Sequence, residues 1–109
     1  MKKPNKARGE VALKIGEHDL ILCAEMERLE QFEQATGGVN ISQLLFDIRS
    51  QKASTLKAGV LSLTVAGDAD KAWKSQTGIL QFPFIMEALM TALCPEVEEK
   101  KPEAEAERP

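Results

Sequence analysis

Residues 9–22 read GEVALKIGEHDLIL, and this stretch decides the fold class. Val11, Leu13 and Ile15 alternate with Ala12 and Lys14, Gly16-Glu17-His18-Asp19 supplies turn residues, and Leu20-Ile21-Leu22-Cys23 resumes an apolar run. That is the period-two pattern of a β-hairpin. A two-stranded hairpin alone is marginal in water, so its apolar face needs a cover. The segments that follow, or a neighbouring copy, supply one.

Downstream the pattern becomes helical. In EMERLEQFEQATGG, Met26, Leu29, Phe32 and Ala35 recur at helical spacing, Glu25 and Glu27 sit at the positive end of the helix dipole, and Gly37-Gly38 stops the helix. Asn40 is a suitable N-cap for a second helix, in which Ile41, Leu44, Leu45 and Ile48 follow the i, i+3, i+4, i+7 pattern and Phe46 falls off the stripe. Ser54 or Thr55 can cap a third helix through LKAGVLSLTVAG, although Val60 to Val65 also alternates as a strand would; helix is the preferred reading. Asp68 can cap a short helix, ADKAWKSQ, ended by Thr77-Gly78. In QFPFIMEALMTALCP, Phe82, Ile85, Met86, Leu89, Met90 and Leu93 form one broad stripe, with Pro83 tolerated in the first turn and Pro95 beyond the end.

These segments predict an α+β fold, a small N-terminal β-hairpin packed on a bundle of four to five short helices. With 109 residues and 43% hydrophobic content, the chain supports one modest core rather than two. The expected organisation is a flexible basic arm over 1–8, a single domain over 9–94 and a disordered acidic tail over 95–109. The arm holds four basic residues and no acid, and the tail six Glu against Lys100, Lys101 and Arg108. Aromatic content of 5%, no Tyr and a net charge of -3 argue against a stacking surface for nucleic acid. No apolar run is long enough for a bilayer and none follows the arm as a leader, so a cytoplasmic location is expected and a membrane partner is not.

Chemistry is sparse. His18, the single histidine, falls in the expected turn and reads as a solvated turn residue rather than a member of a catalytic triad. Glu25, Glu27, Glu30 and Glu33 read as a solvated helix face, without the Asp, Asn or His that would complete a cation site. Gly37-Gly38 lacks the Gly-Lys-Ser/Thr of a phosphate loop. Cys23 and Cys94 match no metal or redox spacing and read as two buried thiols, with a disulfide left open. Trp73 reads as a core residue. No catalytic residue, cofactor or metal is expected. The open case is the last helix: Phe82, Phe84, Ile85, Met86, Leu89 and Met90 exceed a narrow stripe, and they read either as a central core helix or as a partner-binding or self-associating surface.

Arg8 to Val11, Leu29-Glu30 ahead of Gly37, and Ile41 to Leu45, within RGEVALKIGEHDLIL, MERLEQFEQATG and ISQLLFDI, resemble the small tail proteins of gene transfer agents and related long-tailed phages. The resemblance covers the first half of the chain. Past Asp68 it fades, because family members often carry a helix like Thr-x-Glu-Glu-Ala where this chain has DADKAWKSQTG. It implies a tail assembly chaperone in the cytoplasm of a bacterial host cell, with the tape-measure protein and the tail-tube protein as partners and a homo-oligomer as a further state. The alternatives are a structural tail component retained in the virion, or a small non-enzymatic adaptor. A tube subunit needs ring-forming β architecture, and the helical pattern here favours the chaperone.

Overall fold

The computed structural model describes residue 5, residues 9–76 and residues 78–94. The expected arm, apart from Asn5, and the expected tail lie outside the described residues. Strand β1 (Glu10–Ile15) and strand β2 (His18–Cys23) pair antiparallel from Glu10↔Cys23 to Ile15↔His18. Their connection is two residues, Gly16-Glu17, shorter than the four-residue turn read from sequence. Gly16 has φ 62° and Glu17 is not in the positive region, which is the type II′ arrangement whose twist matches the strands. His18 therefore opens β2 and is half-buried rather than standing in a solvated turn.

Helices α1 (Met26–Ala35), α2 (Ile41–Arg49) and α3 (Ala53–Leu63) follow. Helix α1 ends as its two glycines demand: Gly37 and Gly38 have φ 86° and 88°. The Gly38 N–H donates to the Glu33 carbonyl at 2.8 Å and the Gly37 N–H to that of Gln34 at 3.1 Å, a Schellman closure. Asn40 caps α2, its side chain accepting from the Gln43 N–H at 2.9 Å. Helix α3 differs from expectation at both ends. It starts one residue after Lys52, which makes no side-chain cap, and neither Ser54 nor Thr55 serves.

At its far end α3 gives way to strand β3 (Thr64–Ala66), which pairs antiparallel with β2 (Ile21↔Ala66, Leu22↔Thr64) across a bulge. Both sequence readings of this segment thus hold in part: helix to Leu63, then extended chain. The hairpin becomes a three-stranded sheet of order β1-β2-β3 with β2 in the middle. Gly67, at φ 101°, lies so close to β2 that a Cβ there would sit 2.5 Å from the Asp19 carbonyl oxygen. Helix α4 (Ala69–Lys74), capped by Asp68 on the Lys71 N–H at 3.0 Å, and helix α5 (Phe82–Leu93), with Pro83 in its first turn, complete the chain.

One sheet face and the helices enclose the core. Leu13, Ile15, Leu20 and Leu22 meet Phe32 of α1, Leu44 and Ile48 of α2, Leu56, Val60 and Leu63 of α3, and Ile85, Ala88, Leu89 and Ala92 of α5. The other face carries Ile21, Cys23 and Glu10, all buried. Helix α3 is central, and Gly59 is where it touches two others: a Cβ there would meet Leu89 at 3.0 Å and Phe32 at 3.1 Å. Helix α1 contributes less than its pattern predicts. Phe32 is its one buried residue and Met26 is 83% exposed. Its firm polar tie is Arg28, whose Nη1 donates to the carbonyls of Ser62 (3.3 Å) and Thr64 (3.1 Å) while Nε pairs with Glu25 at 3.0 Å. That guanidinium joins α1 to the point where α3 becomes β3.

Candidate functional site

The α5 stripe divides when placed in three dimensions. Ile85 and Leu89 are fully buried and belong to the core. Phe82, Met86 and Met90 are half-buried and pack against it. Phe82 stacks on Trp73 at 6.2 Å between ring centroids, and the Met86 sulfur accepts from Gln51 Nε2 at 3.9 Å. Phe84 alone of the six stands out, 60% exposed. A partner docking on the folded protein therefore meets Phe84, whereas Ile85 and Leu89 are spent on the interior.

Two residues just ahead of α5 extend this apolar surface. Ile79 is 69% and Leu80 82% exposed, so three large apolar side chains within six positions face water where α5 begins. A chain burying them recovers about 1.5–3 kcal/mol per fully covered side chain. Sequence reading passed over Ile79 and Leu80 because they precede the helical period and belong to no stripe.

Beside this ridge lies a groove of about 560 Å³ between β1 and α5, bordered by Val11 to Lys14 on one wall and by Phe84, Glu87, Ala88 and Thr91 on the other. Gln81 separates it from a smaller cavity of about 200 Å³ that Ile15, Trp73, Phe82 and Ile85 help to line. The Oε1 atom of Gln81 is buried and has no hydrogen-bond partner among the described residues, an acceptor that a bound donor would satisfy. Lys14 and Glu87 place one charge of each sign at the groove's rim.

The backbone of β1 sets the character of the first wall. In a two-residue hairpin the closing pair, here Ile15 and His18, exchanges both hydrogen bonds, and bonded pairs then alternate. Val11, Leu13 and Ile15 thus bond to β2, and Glu10, Ala12 and Lys14 direct their N–H and C=O groups outward. Glu10 bears this out: its N–H donates to the Asn5 carbonyl at 3.1 Å, and the Asn5 N–H donates to Glu10 Oε1 at 2.8 Å. Asn5 therefore occupies the edge at Glu10, and the outward groups of Ala12 and Lys14 have no partner among the described residues. No family model, curated protein or solved structure matches this chain. The residues and their geometry carry the functional reading.

Elsewhere the expected chemistry-bearing residues stay apart. His18 stands opposite Ile15 in the ladder, at the start of β2 and away from the outer edge of β1. Glu25, Glu27 and Glu30 are exposed along α1, and Glu25 pairs with Arg28. Cys23 and Cys94 are not bridged to each other; Cys23 is buried, as expected, and Cys94 is exposed, against expectation. Among the described residues no group of three or more His, Cys, Asp or Glu is placed to hold a metal ion, and no helix is long and apolar enough to cross a membrane.

Proposed function

We propose that this chain is a tail assembly chaperone that binds the tape-measure protein in a bacterial host cytoplasm and assists assembly of the tail tube around it. The observation that carries the reading is the exposed ridge of Ile79, Leu80 and Phe84 beside the open groove. It offers an apolar anchor to one face of a long amphipathic helix, the form in which a tape-measure protein needs cover before the tube encloses it. The residues that carry the resemblance support a scaffold shared with such chaperones. Glu10 and Val11 open β1, Leu29 and Glu30 lie on α1, Gly37 closes it, and Ile41 to Leu45 start α2.

The test is co-expression with the tape-measure protein of the same genome and affinity capture of this chain. The expected result is a soluble complex with several copies of this chain per tape measure. Leu80→Asp and Phe84→Asp, at exposed positions, should keep the helical circular dichroism and weaken the complex roughly ten- to a hundredfold each, from the burial energy of one large apolar side chain. A tape measure that stays insoluble beside the wild-type chain refutes the chaperone role. Finding the chain in stoichiometric amount in purified particles moves it to the virion-component class instead.

A further inference from the structure

The outer edge of β1 is short. Asn5 blocks it at Glu10 and the turn ends it after Ile15, which leaves Ala12 and Lys14 as the two residues with outward N–H and C=O groups unmet among the described residues. We infer that this edge pairs with the β1 edge of a second copy, joining two three-stranded sheets into one of six strands about a two-fold axis at Leu13. This goes beyond the tape-measure reading and does not rest on it.

Symmetry selects the register. A two-fold axis normal to the sheet makes the two β1 strands antiparallel, and outward residues must face outward residues. An axis at Ala12 would set Lys14 against Glu10 of the second copy, whose N–H Asn5 already holds at 3.1 Å. An axis at Lys14 would set two ammonium groups directly opposite, which is unfavourable. An axis at Leu13 pairs Ala12 with Lys14 of the second copy, twice. Each pair exchanges two hydrogen bonds, so the groups left open in one chain are satisfied by the same groups in the other. Val11, Leu13 and Ile15, which face the core, then continue an apolar face across the seam, and the Lys14 side chain lies over the small Ala12.

The helix beside the edge leaves room. Helix α5 lies against both β1 and β2, and the groove separates its Phe84, Glu87 and Thr91 side from the edge. Strands pair at about 4.8 Å, so a helix seated over the β1–β2 seam comes about 10 Å from its symmetry mate, an ordinary helix-packing distance with Ala88 available for close contact. Antiparallel pairing also sends the two hairpin turns in opposite directions. The turn end carries the start of α5, since Ile15 and Gln81 line one cavity there. The two Ile79–Leu80 segments therefore remain open at opposite ends of the joint sheet, whereas Phe84 and the groove fall at the seam, so this pairing and a partner seated in the groove exclude one another.

The experiment is sedimentation equilibrium of the full chain from micromolar to millimolar concentration, comparing wild type with Ala12→Pro. Proline removes the outward N–H of Ala12 and leaves the bonds to β2 intact, as edge strands tolerate. The wild type should pass from the mass of one 12.0 kDa chain to that of two, and Ala12→Pro should raise the dissociation constant at least tenfold. Amide exchange on the wild type guards against a folding defect in the variant. The Ala12 and Lys14 amides should become protected as concentration rises, while Leu13 and Ile15 are protected throughout. A wild type that stays monomeric, dimers whose Ala12 and Lys14 amides exchange freely, or protection that arises only on adding a foreign extended peptide each overturns the inference.

Discussion

Replacing Arg28 with alanine tests how the helices are held to the sheet. Its guanidinium bridges the carbonyls of Ser62, in the last turn of α3, and of Thr64, the first residue of β3, at 3.3 and 3.1 Å. A hydrogen bond from a charged group nets about 1.5–3 kcal/mol. The longer of these two is weak, and the side chain is 32% exposed, so water reaches the freed carbonyls and the lower part of that range applies. The ion pair with Glu25, exposed on both sides, adds well under about 1 kcal/mol. Arg28→Ala should therefore cost about 2 kcal/mol, a fall in Tm of roughly 8–16 °C for a domain of this size. Urea and thermal unfolding followed by far-ultraviolet circular dichroism measure it. Arg28→Lys should lose less than Arg28→Ala but still fall below the wild type, because an ammonium does not span both carbonyls as a planar fork does. If Arg28→Ala stays within about 0.5 kcal/mol of wild type, the carbonyl bridge does not hold this joint.

Gly67→Ala places a Cβ 2.5 Å from the Asp19 carbonyl oxygen at φ 101°, which no side-chain rotation relieves; a loss of about 1–3 kcal/mol is expected, with faster amide exchange across β3 as its local signature. Cys94 is exposed and Cys23 buried, so one thiol per chain should react with an aromatic disulfide reagent in the native state and the second only in denaturant. Two fast thiols would mean that the face of β2 carrying Cys23 is open to water.

The hairpin, α2 and α5 were legible because each has a strong period and clear punctuation: Gly16 at a turn, Asn40 at a cap, Pro83 inside a first turn. Strand β3 was not, since three residues carry no period of their own and owe their conformation to the edge of β2. Helix α1 misled in the other direction. Its stripe of Met26, Leu29, Phe32 and Ala35 is regular, yet the helix touches the core mainly through Phe32, so regular spacing overstated its burial. For the candidate site, periodicity picked the right helix and could not separate residues that face inward from those that face out. Ile85 and Phe84 are neighbours with opposite fates. The free groups of Ala12 and Lys14 were beyond sequence reading, because they depend on the loop being two residues rather than four.

The bond between β2 and β3 spans about forty residues of chain, with α1, α2 and α3 between its partners. Loop closure on that scale comes late in folding, after local pairs have formed. The hairpin is local and can form early, but the far edge of β2 waits until three helices have packed and α3 delivers Thr64 to it. During that interval the far edge of β2 has no strand beside it. Closure of the sheet against β3 is thus the step that depends on all three helices at once.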